Sequence, residues 1–432
     1  MRIGSGAGFA GDRIEPAVDL AARGDLDDLV LECLAERTIA LGQQRRLRDP
    51  ALGHDPRLRA RFERLLPVAV ANGVRVLTNM GAANPLAAAR DTRDLMRELG
   101  LRGRIVAVTG DDVLDRLDLR TPALEDGVAL AAHGEVVSAN AYLGADAVLP
   151  ALDTGADVVL TGRVADPSLF LAPLVHRLGW ELDDWPKIAA GTLVGHVLEC
   201  AGQVTGGYFA DPGVKDVPDL AHLGFPCADV ESDGTATIGK LPGTGGVLST
   251  ATVREQLLYE VTDPTGYRTP DVVLDFRGVR AEQRGADRVR ISGASGGPRP
   301  DELKVSVGYR AGYRAEGGIS YAGPNAAQRA RLAADVVTSR LAGTGLRLRA
   351  DVLGALDDSG DECRLRVAAM GPDRRLAEDV CHEVEALYTN GPAGGGGVRT
   401  DVREVIGIVS ALIPRADVET GVTAMEVGDA AA

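Results

Sequence analysis

The sequence predicts an α/β protein: an N-terminal, mostly parallel, Rossmann-like sheet with helices on both faces, plus a smaller α+β second domain. Three observations carry this expectation. At 432 residues the chain exceeds what one hydrophobic core ordinarily organises. Through about residue 180, short apolar runs alternate with amphipathic stretches, the pattern of strands joined by crossover helices. After Trp180 the texture becomes Gly- and Pro-rich with scattered strand-like runs. The expected division is therefore a ligand-binding domain over 1–180, a second domain over 181–418 closing its cleft, and a frayed tail over 419–432.

Met1–Ile3 reads as the first strand, ending in the loop Gly4–Arg13, and Pro16 suits the first turn of a helix running through Ala22. Strands follow over 29–34, 74–77, 105–108 and 158–160, with helices over 62–71, 86–99 and 145–152 between them. Each strand ends at once in Gly, Asn or charged residues. In open α/β sheets, ligands bind beyond the carboxyl ends of the strands. Arg13, Glu36, Arg37, Asn79, Asn84, Asp111, Asp112, Arg163 and Asp166 would all lie along that edge. Arg13, Glu36, Arg37, Asn79 and Arg163 are expected around one cleft. Beyond Trp180, a helix is expected over 188–204, strands over 235–239, 272–276, 289–292 and 303–309, and helices over 326–341 and 373–387. Glu316-Gly317-Gly318 and Ser320-Tyr321-Ala322-Gly323-Pro324 look like a strand-turn, and residues 390–397 like a flexible loop or linker.

A net charge of −15 argues against a polyanionic partner such as nucleic acid, though one pocket needs only a few local cations to take a small anion. The five cysteines form no CxxC pair and there are only six histidines, so neither a zinc site nor a disulfide framework is expected. No leader-like N-terminus and no apolar run of membrane-spanning length is present, so the expected location is the cytoplasm.

Four motifs bear chemistry. Gly6-x-Gly8-x-x-Gly11 follows a strand and precedes a helix, the setting of a phosphate cradle or of a plain tight turn. Lys240, Gly243, Thr244, Gly245 and Gly246 form a second candidate anion cradle, or a crossover loop. Its lysine precedes the glycines, which excludes a P-loop. Thr252-x-x-Glu255 fits a capping box for the helix after it. His196, Glu199, Cys200 and Gln203 share one helical face, so Cys200 is a candidate nucleophile beside His196, or a core residue. Arg163 suits bidentate carboxylate or phosphate binding, and Asp166 is either catalytic or a helix cap.

Several stretches resemble the acyclic terpene utilisation (AtuA-type) family. They are Gly4-Ser5-Gly6-Ala7-Gly8-Phe9-Ala10-Gly11-Asp12-Arg13, Cys33-Leu34-Ala35-Glu36-Arg37-Thr38 and Thr78-Asn79-Met80-Gly81-Ala82-Ala83-Asn84-Pro85. The remaining three are Leu160 to Asp166, Glu199 to Gly207 and Leu241 to Gly246. The resemblance implies a setting in bacterial breakdown of branched terpenoids through acyl-CoA intermediates, and brings no residue roles. The expected activity is a lyase or hydratase step on a small branched acid or its thioester. Glu36, Asp166 or His196 would move the proton, and Arg163, Lys240 and the glycine loops would hold the anionic groups. The alternative is a non-catalytic nucleotide- or thioester-binding scaffold that acts with a small partner protein. No tightly bound cofactor is expected, coenzyme A entering only as part of the substrate. Longer relatives carry an extra C-terminal domain, so the apolar segment 405–413 either packs on its own domain or docks a partner. A homo-oligomer is expected.

Overall fold

The computed structural model describes residues 1–354 and 362–428 and divides into two compact units. The first comprises 1–127, 137–307 and 409–432; the second comprises 128–136 and 308–408.

In the first unit, strands β1 (Arg2–Ala7), β2 (Asp28–Leu31), β3 (Arg75–Thr78) and β4 (Gly103–Thr109) alternate with helices α1 (Glu15–Arg23), α2 (Glu36–Arg48), α3 (Leu58–Ala71) and α4 (Pro85–Glu98). Then follow β5 (Val136–Ala141), α5 (Ala145–Asp153), β6 (Val158–Thr161), α6 (Asp166–Leu178), α7 (Trp185–Leu198), β7 (Pro226–Val230), β8 (Ala236–Lys240) and α8 (Thr250–Leu258). The main sheet has ten strands. Its order is Arg280–Gly285, Arg288–Ser292, β8, β7, β1, β2, β3, β6, β4, Gly421–Val427. The block β1–β2–β3–β6–β4 is parallel, and every pairing outside it is antiparallel. The sheet is thus mixed, with a parallel centre, where a mostly parallel one was expected. Leu29, Leu31, Val76, Ile105, Val158 and Leu160 face α1, α3 and α4. The alternate residues Val30, Leu77, Val106 and Val159 are buried as well, so both faces of the central strands are covered.

Several expectations need correction. Residues 226–240 do not open a separate domain, because β7 pairs directly with β1 and extends the same sheet. The supposed tail is a strand over Gly421–Val427, which satisfies the open backbone edge of β4. Residues 429–432 lie outside the described part. β1 runs on to Ala7, so Gly4 and Gly6 belong to a strand rather than a loop. Glu36 and Arg37 begin α2, a helix the sequence pattern did not suggest. The box that starts α8 pairs Ser249 with Thr252, one turn earlier than expected: each backbone N–H donates to the other's hydroxyl, at 3.0 and 3.3 Å.

The second unit is α+β. Strands Arg347–Leu353, Glu362–Gly371, Glu302–Ala322 and Gly395–Pro414 lie side by side in that order, the ends 302–307 and 409–414 counting with the first unit. Helices α9 (Ala326–Arg340) and α10 (Arg374–Asn390) pack on one face, over Ala315, Ile319, Tyr321, Leu365 and Val367. Gly395–Gly397 open a strand instead of forming a linker, whereas the segment from Glu316 to Pro324 is a strand through Ala322 followed by a turn. In the segment 405–413, Ile406, Val409, Ala411 and Ile413 are buried within the chain itself.

Candidate active site at the carboxyl edge of the central strands

The end of β2 carries the site. In the register of β2 on β3, Leu31 pairs with Thr78, so Glu32 and Asn79 leave their strands side by side. Asn79 Nδ2 donates to Glu32 Oε1 at 2.7 Å, and its Oδ1 accepts from the Cys33 amide at 2.7 Å. The Leu34 amide donates to the same Glu32 oxygen at 2.9 Å. These bonds fix Glu32 on the wall of a cavity of about 740 Å³, lined throughout by residues of the first unit. Burial pushes the Glu32 carboxyl up to about 7, against the opposing pull of Arg163, Asn79 and the Leu34 amide, with Glu199 adding to the rise.

Glu199 follows α7, and it reaches the same cavity. Its Oε1 meets His196 Nδ1 at 3.1 Å, while its buried Oε2 has no hydrogen-bond partner among the described residues. Burial raises the Glu199 carboxyl, and Glu199 in turn raises His196 against the imidazole's own burial. His196 itself is fully buried against Tyr267 and Phe276 and does not line the cavity.

Gly8 explains how β1 joins this wall. A Cβ on Gly8 would lie 2.3 Å from the Cys200 carbonyl carbon, so only glycine lets the end of β1 pass over Glu199 and Cys200. Its amide, the donor a phosphate would need, is given to Asp12 at 2.8 Å. Gly6 is enclosed in the strand against Ala17 and Leu31, and Gly11 lies against the Phe9 ring. The glycine series therefore serves chain packing.

Tyr142, which follows β5, also lines the cavity. Its hydroxyl donates to Glu36 Oε1 at 2.5 Å, Lys304 Nζ lies 5.0 Å from its ring centre, and the Arg163 guanidinium lies 4.5 Å from that centre. Burial disfavours ionised Glu36, but the Tyr142 hydroxyl, the residue's own N–H, Arg163 and Lys304 outweigh it and hold the carboxyl below its ordinary value. Burial beside Glu36 pushes Tyr142 up to about 12 despite Arg163. Arg163 is almost wholly enclosed. Its fork is committed to the carbonyls of Leu34 and Val164 and to Asp166, and its amide to Asp111 at 2.9 Å. Asp111 also accepts from Asn140 at 2.9 Å, and burial raises its carboxyl to about 6.

Thus Glu36, Asp166 and Cys200 line the cavity, with Asn79, Asp111 and Arg163 supporting it from behind. The remaining candidates lie elsewhere. Arg13 donates to the carbonyls of Leu220 and Ala221, because the longer β1 carries the following loop past the cleft. Arg37 is exposed on α2. Asn84 caps α4 and bonds the carbonyls of Pro50 and Leu52. Lys240 binds the Thr244 carbonyl at 2.8 Å and Asp287 at 3.2 Å. The amides of Gly245 and Gly246 donate to His222 and Pro218, and Gly243 and Thr244 complete that tied-back loop. Burial, with Glu199 next, raises the Cys200 thiol far from thiolate, and the His196 ring turns to Glu199 instead of to sulfur. Sequence reasoning missed Tyr142 and Lys304, gave Glu32 no role at the site, and named Glu199 only as a helix-face neighbour of His196 and Cys200. Among the described residues no His, Cys, Asp and Glu side chains are grouped to hold a metal ion.

The family model described as "Acyclic terpene utilisation family protein AtuA" matches residues 1–424. The chain belongs to that family. Comparisons with curated proteins and with solved structures gave no match. No described helix is long and apolar enough to cross a membrane.

Proposed function

We propose that this family member is a lyase or hydratase-type enzyme acting on a small branched carboxylic acid or its acyl-CoA thioester, with Glu32 moving the proton. The carrying observation is a buried carboxyl at the cavity wall, held by Asn79 and the Leu34 amide, with its pKa near 7. A group poised near neutrality accepts and returns protons efficiently, as cleavage or hydration beside a carbonyl requires. Leu34, Leu124, Leu303 and Leu412 give a branched acyl chain apolar contact. Lys304, whose ammonium carries three hydrogens and lies 3.5 Å from Glu36 Oε1, is the donor offered to its carbonyl or carboxylate, since the single Tyr142 hydroxyl proton is already given to Glu36. The free Oε2 of Glu199 takes a donor from the substrate. Coenzyme A enters only as the substrate's handle. A nucleotide-binding scaffold has less support, because the Gly8, Gly245 and Gly246 amides already have partners within the chain.

Branched acids and their acyl-CoA thioesters, screened by thermal shift and then by mass-spectrometric turnover, test the proposal. A ligand should stabilise both the parent and Glu32→Gln, while Glu32→Gln loses about 10²–10⁴-fold in turnover. Undiminished turnover in Glu32→Gln would overturn it.

A further inference from the structure

The face of the second unit's sheet away from α9 and α10 carries charge of the opposite sign to the chain as a whole. Alternation along Glu362–Gly371 buries Cys363, Leu365 and Val367 and turns Arg364 and Arg366 outward. On the neighbouring strand Ser320 pairs with Arg364 and Gly318 with Arg366. Gly318 has no side chain to fill the space beside them. A Cβ there would lie 2.8 Å from Arg364 Nη2, so the Arg364 guanidinium lies directly over the glycine backbone. From the other side the strand Gly395–Pro414 contributes Arg399 and Arg403. The result is a depression of about 200 Å³ walled by Arg364, Arg366, Arg399 and Arg403, with Glu316 and Asp401 as its carboxylates.

Those carboxylates are taken up locally. Glu316 accepts from Arg366 at 3.0 Å, and Asp401 from Arg403 at 2.7 Å. Arg364 donates to Ser320 Oγ at 3.1 Å and the Gly397 carbonyl at 3.3 Å, and Arg399 to the Val398 carbonyl at 2.9 Å. Among the described residues neither Arg364 nor Arg399 has a carboxylate partner. Two guanidinium groups without counter-ions, over a glycine floor and flanked by two more, match the geometry in which arginine forks bind a tetrahedral oxyanion. The face has no aromatic side chain in the depression on which a base could stack, which a single-stranded nucleic acid would use.

We propose that this depression binds a phosphate group, either as inorganic phosphate or as the phosphomonoester of a nucleotide-bearing molecule. The site is independent of the cavity at Glu32. Titration calorimetry of the full chain at low ionic strength, with inorganic phosphate and separately with adenosine 3′,5′-bisphosphate, tests it. Saturable binding of phosphate, weakened about tenfold or more in both Arg399→Gln and Arg364→Gln, is the expected result. Equal affinity for the two probes identifies free phosphate as sufficient, and tighter binding of the bisphosphate identifies a nucleotide-borne one. Arg399 is exposed, so its variant keeps the fold even if Arg364→Gln loosens the strands. Absence of saturable binding by either probe, or unchanged affinity in Arg399→Gln, would overturn the proposal.

Discussion

Two glycine-bearing regions of the first unit look alike in sequence and differ in what they leave unsatisfied. At the end of β1, Gly8 lets the chain pass over Glu199 and Cys200, beside a cavity where Glu32 is buried with a raised pKa and Glu199 Oε2 has no hydrogen-bond partner among the described residues. In the loop after β8, the Gly245 and Gly246 amides and the Lys240 ammonium are all returned to the chain's own acceptors. Glycine density thus marks close chain approach in both regions. Only the first keeps buried polar groups whose demands the fold itself does not meet, and such groups persist where a ligand meets them.

Substitutions can break this contrast. The largest stability loss should come from Arg163→Lys, because a lysine cannot span the Leu34 and Val164 carbonyls and Asp166 together. Chemical denaturation should show a loss of about 3 kcal/mol. Unchanged stability with weakened ligand binding would instead make Arg163 a ligand-binding group.

Glu32→Gln should act in the opposite sense. The folded carboxyl titrates at about 7 and the ordinary value is 4.5, so the folded state holds more protons between them and stability falls as pH rises through that range. Removing the charge should stabilise the protein by on the order of 3 kcal/mol at pH 8, and hardly at all at pH 4. Denaturation midpoints at the two pH values check this, and equal effects at both would contradict it.

Gly8→Ala and Gly243→Ala sharpen the comparison directly. The first forces a methyl into the Cys200 backbone and should cost about 2 kcal/mol together with ligand binding. The second meets open space at φ +77° and should cost about 1 kcal/mol, leaving ligand binding untouched. The smallest effect expected is in Asn79→Ala. Loss of its bond to Glu32, which favours the carboxylate, should move the pH–activity midpoint to the alkaline side. An unmoved midpoint would make Asn79 merely a prop for the Cys33 amide.

The edge where the site lies was legible because polar residues follow each central strand immediately, as at Glu32–Glu36 and Thr161–Asp166. Glu32 was given no site role because one glutamate after an apolar run reads as a solvated strand end. Aligning the ends of β2 and β3 would have set it beside Asn79. Tyr142 and Lys304 are 162 positions apart in numbering and are brought together by the backbone bond from Tyr142 N to the Lys304 carbonyl, at 2.8 Å, which no local pattern announces. Lys240 misled for the reverse reason, since its partner Asp287 lies on a distant turn. The antiparallel flanks were hidden because β7 and Gly421–Val427 have little apolar alternation of their own and pair with strands far away in sequence.

The most direct measurement is the titration of Glu32 itself. Carbon-13 NMR of glutamate side-chain carboxyls, with Glu32→Gln identifying the resonance, should show one carboxyl titrating near 7 that is absent from the variant. A Glu32 midpoint in the ordinary glutamate range would contradict a proton-transfer role at this edge of the sheet.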